Sequence, residues 1–410
     1  MPAEAAPRPT ASFAALAVLL VVVYVNIAGF SLILPLLPFY GRAFAASPFA
    51  VTALFAVYSL GNVFGEIYWG RLSDRVGRKR VLIVAIGCAA LSYIAFAFAP
   101  TLAAALTIRV VTGFFSGTMG VCQSYIADVT APEDRARGIG YFGAAFNLGF
   151  ATGPAIGGLL ASPEQGLAGF HLPILAAATL AAVAALWAAV ALRDTRVRGE
   201  ARPLPAWGAA FRFVAGDALL ARLFILAFIG IACFASMEAV FGLWTQANFG
   251  WSTRQVGLTF IAVGAAGVFV QLVLIGPLVR RFGEARVIVG GLAVIAASML
   301  LQPLTRHPMT AVLLMATLMA GHSLAFPNAG ALVSRSTGRD AQGSVNGLLM
   351  ASNALSRIVA PPLFGLVYVS AGADAPYYLG TLIVGLAIVV AVQAVRIRDR
   401  RLASQQGVAA

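Results

Sequence analysis

The chain alternates long apolar runs with short polar breaks. Twelve runs reach the length of about 20 residues that a helix needs to cross a bilayer: 13–40, 49–70, 80–99, 102–126, 138–161, 171–192, 219–247, 254–278, 285–304, 308–331, 343–371 and 376–396. The one long non-apolar stretch, 193–218, holds Arg193, Asp194, Arg196, Arg198, Glu200 and Arg202 and divides the runs six and six. Backbone polar groups in hydrocarbon must be paired within the span, so the runs predict helices. The expected architecture is an all-α polytopic membrane protein. A six-helix bundle over 1–192 is joined by an aqueous linker, 193–218, to a second bundle and tail over 219–410.

Composition agrees. The chain is 60% hydrophobic and 10% charged, where a soluble protein carries roughly a quarter charged residues. A net charge of +13 would suggest nucleic-acid binding in a soluble chain. Here the basic residues sit in short loops, with no basic stripe interleaved by aromatics, so no nucleic-acid partner is expected. They report orientation instead. With both termini cytoplasmic, only Arg42, Arg254 and Arg306 fall at the outer side, and only Arg109 and Arg357 lie deep within spans, as the positive-inside rule demands. Cys88, Cys122 and Cys233 all fall in apolar runs at unrelated spacings, which gives neither a disulfide framework nor a metal site. The opening MPAEAAPRPTAS precedes a run too long for a signal-peptide core, so that run is expected to be the first membrane helix.

The segment GRLSDRVGRKR, Gly70–Arg80, is too charged for hydrocarbon and predicts a short aqueous turn between helices 2 and 3. Gly70 and Gly77 suit a tight reversal, and Asp74 is a lone acid among bases. A degenerate copy, GPLVRRFGEAR, follows at 276–286, with Gly276 and Gly283 repeating the glycines and Arg280 standing in place of Asp74. Two parallel six-helix repeats would produce such an echo. Helix 5 carries Gly140, Gly149, Gly153, Pro154, Gly157 and Gly158. Interior glycines cost about 1 kcal/mol each and proline about 3, so this density needs a reason; close backbone approach and a kink are the physical ones.

The order Gly-x-Leu-x-Asp-Arg-x-Gly-Arg-Lys resembles the loop between helices 2 and 3 of the major facilitator superfamily. The helix-5 run GFATGPAIGG, preceded by Gly140, resembles the signature of its drug:proton antiporter branch, and Arg109-Val-Val-Thr112-Gly113 resembles the helix-4 motif whose arginine is linked to proton coupling. NIAGFSLILPLLPFY in helix 1 and WSTRQVGLTF at 251–260 resemble the tetracycline/proton antiporters. Many relatives carry an acid where this chain has Asn26, an amide that cannot titrate. The resemblance implies two pseudo-symmetric six-helix bundles around a central cavity. It also implies that Asp128, at the end of helix 4, pairs with Arg78. Asp74 would then face the N-terminus of helix 11, and with Arg75 this cluster would latch the cytoplasmic side.

Titratable residues inside the spans are the candidate chemistry. Glu238 lies in helix 7 beside Phe234, Phe241 and Trp244; it is a candidate proton carrier or cation binder with aromatic support, or a structural partner of Arg109 or Arg357. Arg109 is expected to face a cavity and a partner, or to snorkel to an interface roughly 12 Å away. Asn26 is a candidate hydrogen-bonding partner of substrate or of Arg109. Arg357 in helix 11 offers an anion site or neutralises Glu238 or Glu66. Glu66, near the cytoplasmic face, is expected in a gate ion pair, and His322 in helix 10 is a further titratable candidate. The expected activity is proton-driven export of a small amphipathic compound across the inner (plasma) membrane by a monomer. The alternatives are transport of a sugar or organic anion, a membrane sensor, or a lipid translocator. Enzymatic motifs are absent from the sequence, and no metal or other cofactor is expected.

Overall fold

The computed structural model describes residues 13–130, 134–194, 207–337 and 341–407. All regular structure among them is helical. α1 comprises Phe13–Leu32, a 3-10 turn Leu34–Leu36 and Leu37–Ala43, interrupted where Pro35 and Pro38 withhold backbone donors. α2 is Pro48–Val76 and α3 Arg78–Ala97. α4 is two pieces, Leu102–Ser116 and Met119–Val129. α5 is Arg135–Leu160, α6 His171–Ala191 and α7 Ala218–Phe249. α8 runs through Thr253–Phe269, a π turn Val270–Leu274 and Ile275–Phe282. α9 is Glu284–Leu301, α10 Pro308–Arg335, α11 Gln342–Ala371 and α12 Ala375–Gly407. Eleven of these meet length and apolarity requirements for crossing a membrane. The twelfth, α5, is long enough, but its glycines dilute its apolar content. Large apolar side chains point outward, among them Val190 at 82% exposure and Leu272 at 76%, as a lipid-facing surface requires.

One expectation about a connection is corrected. Gly70–Arg80 is not an aqueous turn: α2 continues to Val76 and only Gly77, at φ +100°, breaks the chain before α3. The polar last turn of α2 is closed by the Ser73 hydroxyl donating to the Gly70 carbonyl, and the Asp74–Arg78 pair bridges Gly77 to the start of α3. Within the linker, Trp207–Gly216 is helical and packs against α7 and α11. Arg196, Arg198, Glu200 and Arg202 lie outside the described residues.

The packing repeats after six helices. α1 packs on α5 and α6, as α7 does on α11 and α12. α2 packs on α4 and α3 on α6, as α8 does on α10 and α9 on α12. Between the halves, α2 meets α11 and α5 meets α8, and a pseudo-twofold rotation exchanges these two seams. The local turn repeats as well: Gly283, at φ +79°, joins α8 to α9 as Gly77 joins α2 to α3. One residue beyond each glycine lies an ion pair, with the signs exchanged. Arg78 meets Asp128 at 3.4 Å, and Glu284 meets Arg335 at 2.8 Å.

The end of the bundle that carries these turns is called the basic end below. There Asp217 caps α7, accepting from Leu219 and Leu220, and Arg401 forks onto it at 3.0 Å. Burial pushes the Asp217 carboxyl up, but the Arg401 guanidinium and the Leu220 and Leu219 N–H groups outweigh it and leave it below the ordinary carboxylate range. Its folded pKa therefore lies below the unfolded value of about 3.9. The stabilisation is complete above that value and is lost as pH falls through the folded pKa. Asp217→Asn keeps a cap but loses the ion pair, and should cost about 0.2–1 kcal/mol near neutrality. In thermal unfolding followed against pH, the difference from the parent should vanish in acid.

Candidate functional site

The helix-5 glycines divide between two neighbours. A Cβ on Gly149, Gly153 or Gly157 would run into α1 at Tyr24, Ala28, Ser31 or Leu32. A Cβ on Gly158 would meet Thr253 and Gly257 of α8, and the Pro154 carbonyl faces Gly257 in return. Gly140 and Gly70 have open space around them, so close approach does not explain either. The halves also touch where Gly365 meets Thr52 and where Gly242 meets Pro38. These contacts lie at the end opposite the basic one. Deeper along the α5–α8 seam, the π turn of α8 holds Gln271, whose side-chain oxygen accepts from the Asn147 amide at 2.8 Å. Among the described residues, no ion pair crosses between the halves.

Arg109 is fully enclosed, at 1% exposure. It does not snorkel to an interface, and its partners are aromatic rings and a backbone carbonyl. Its guanidinium lies 4.4 Å from the Tyr58 ring centroid and 5.7 Å from that of Phe96, and its Nε donates to the Leu54 carbonyl at 3.3 Å. Arg spreads its charge over a plane and is weakly hydrated, so aromatic faces are an acceptable enclosure. Phe30 of α1 stacks on the far side of the cluster, 4.8 Å from Tyr58. Asn26 is half-buried and makes no hydrogen bond to Arg109.

The second half gathers the other candidates. The His322 ring lies 4.5 Å from both Phe234 of α7 and Phe326 of α10. Phe150 of α5 reaches across to Phe234 at 6.5 Å, so one aromatic row spans the two halves. Glu238, one turn beyond Phe234, is 7% exposed and forms no ion pair with either arginine. Arg357 of α11 is half-buried and stands one helical turn beyond Asn353. Glu238 Oε1, His322 Nε2 and Asn353 Oδ1 are buried without a protein partner. Such atoms in a folded protein mark a site that water or a ligand completes. Phe241 and Trp244, expected beside them, belong elsewhere. Phe241 packs edge-on to Trp251, and Trp244, at 0% exposure, donates its indole N–H to Asp374 at 2.7 Å. A buried indole needs such a partner, and the partner lies in a loop that helix periodicity does not reveal.

Asn353, Phe326, Phe150 and Tyr58 were missed from the sequence. Two of them had a signal: Asn353 stands four residues before Arg357 and Phe326 four after His322, the spacing that places side chains on one helix face.

At the basic end, Arg78 holds Asp128 as expected and also Asp74, at 2.5 Å. Residues 338–340, which precede α11, lie outside the described residues. Arg75 is exposed. Glu66 departs from the expected gate ion pair. Its carboxylate accepts from the backbone N–H groups of Met119 and Gly120, each at 3.0 Å.

The profile of the Major Facilitator Superfamily matches residues 19–274 and 239–409 of this chain. The tetracycline resistance protein, class C, of Escherichia coli is 32% identical over 361 residues, covering 86% of this chain and 89% of that protein. Multidrug resistance protein 1 of Bacillus subtilis (strain 168) is 26% identical over 384 residues, covering 92% and 95%. In fold, the chain is similar to a bacterial homologue of the human lysosomal transporter Spinster, with a TM-score of 0.78 at 15% identity over 93% of this chain and 96% of the other. The profile spans both six-helix halves, and the pseudo-twofold packing is that of a two-bundle transporter, so the chain belongs to the Major Facilitator Superfamily.

Proposed function

We propose that this chain is a proton-coupled exporter of small amphipathic, drug-like compounds. It resides in the inner (plasma) membrane with both termini cytoplasmic, and works as a monomer. Its halves, 1–192 and 219–410, rock about the α2–α11 and α5–α8 seams and expose a central site to each side in turn. The observation that carries the reading is the buried Glu238 carboxyl, with one oxygen unpartnered, one turn from Phe234 in an aromatic row that spans both halves. A carboxyl so placed holds a proton in one state and yields it in the other, while the rings of Phe150, Phe234 and Phe326 receive the apolar body of a substrate. Proton and substrate then exchange by linkage. The printed names of the relatives, for tetracycline and multidrug resistance, support export.

Everted vesicles with an acidified lumen test this. Adding tetracycline as the probe should alkalinise the lumen, as inward drug movement carries protons out. Uptake of the drug without any pH change would remove proton coupling from the reading.

A further inference from the structure

α4 does not run unbroken. At Gly117 the backbone leaves the helical path, with ψ at 58°, and Met119 begins a second piece after Thr118. Such a break frees carbonyls on one side and N–H groups on the other, and none of them can be left bare inside a membrane. α2 supplies both caps. Glu66 accepts from Met119 and Gly120 at 3.0 Å, one N–H to each carboxylate oxygen. Trp69 donates its indole N–H to the freed carbonyl of Phe114 at 2.8 Å. The two residues are three apart on α2 and so share a face. Thr118, the residue at the N-cap position, contributes no side-chain hydrogen bond.

The sequence between them permits the contact. A Cβ on Gly65 would overlap the Phe114 carbonyl, and one on Gly117 would overlap the backbone at Gly65 and Glu66. Gly61 and Gly113 repeat the approach one turn away. α2 and α4 therefore touch backbone to backbone, and the two caps close over the break.

The two pieces of α4 carry different parts of the machinery. The first holds Arg109 against Tyr58. The second ends at Asp128, which meets Arg78 at the start of α3.

We infer that Glu66 and Trp69 are positioning residues, a clasp that fixes the angle between the two pieces of α4 and thereby sets where Asp128 meets Arg78 as the exporter changes state. The clasp rests on hydrogen bonds. Its consequence for transport rests also on the reading of Arg78–Asp128 as a gate.

Cys122 lies in the second piece of α4, buried, and Cys233 is equally buried in α7. This gives a reporter and an internal reference in the unaltered chain. In the full-length protein in liposomes, labelling by a membrane-permeant maleimide is followed at each cysteine by mass spectrometry. Glu66→Gln keeps the shape of the side chain but gives up the charge and one acceptor oxygen, and Trp69→Phe keeps the ring without the N–H. Each should speed Cys122 labelling about tenfold or more while leaving Cys233 unchanged, since charge-assisted hydrogen bonds carry effects of that size. Unchanged Cys122 labelling overturns the clasp. An equal rise at both cysteines also overturns it, because that reports general loosening.

The link to the gate is read from tetracycline-driven proton movement. Glu66→Gln and Asp128→Asn should each slow it about tenfold, and the double variant should be no slower than either alone. Multiplied losses in the double variant would show that Glu66 does not act through Asp128. Asp128→Asn without effect would remove the gate reading while leaving the Cys122 result to decide the clasp.

Discussion

Gly158→Leu is expected to cut export at least tenfold while leaving the protein folded. Gly158 of α5 sits against Thr253 and Gly257 of α8, and an added Cβ would stand 2.5 Å from the Thr253 carbonyl oxygen and 2.9 Å from the Gly257 Cα. No flexible side chain is present to yield; both contacts are backbone. Overpacking of this kind costs about 1–3 kcal/mol. Here the cost falls only on the state in which this end of the seam is closed, so the equilibrium moves towards the state in which it is open. A shift of about 1.4 kcal/mol changes the ratio of states tenfold, and an alternating-access cycle needs both. Transport in vesicles and thiol accessibility at the two ends would measure it. Gly140→Ala is the matched control: Gly140 belongs to the same helix-5 pattern but has open space around it, and Ala favours the helix. Its export should stay within about twofold of the parent. If both variants export normally, the seam does not open in the cycle.

Glu238→Gln is expected to abolish coupling. Gln has the same shape and cannot release a proton, so net export driven by a pH gradient should fall more than tenfold. Substrate counterflow, which needs no net proton movement, should persist. The carboxyl is buried with Oε1 unpartnered, one turn from Phe234 of the aromatic row that joins the halves, so a change in its charge is felt where the two halves meet. Losing counterflow and coupling together would assign Glu238 to substrate binding. Retaining both would leave the proton to another group, and His322, enclosed by Phe234 and Phe326, would be next.

The twelve spans were legible because a bilayer forces its residents to write them as runs of about 20 apolar residues. Their ends were less legible. Beyond the membrane, a helix continues wherever its polar turns hold together, as α2 does to Val76 and α12 does to Gly407. Helical periodicity carried part of the site: it puts Phe234 with Glu238, and it would have put Phe326 with His322 and Asn353 with Arg357, two residues that were overlooked. The site was misread where a partner comes from a distant segment. Trp244 looked like a wall of the passage until its bond to Asp374 placed it in the packing of the second half. Glu66 looked like half of an ion pair, because nothing in a sequence displays two backbone N–H groups freed fifty residues away.

The exchanged signs at the feet of α3 and α9 bear on how the basic end can shut. Arg78 answers Asp74 and Asp128, and Arg335 answers Glu284, each within its own half. Neither pair therefore draws on the opposite half for its counter-charge. Opening that end breaks neither of these two pairs, while opening the far end parts the close contacts made at Gly158, Gly242 and Gly365.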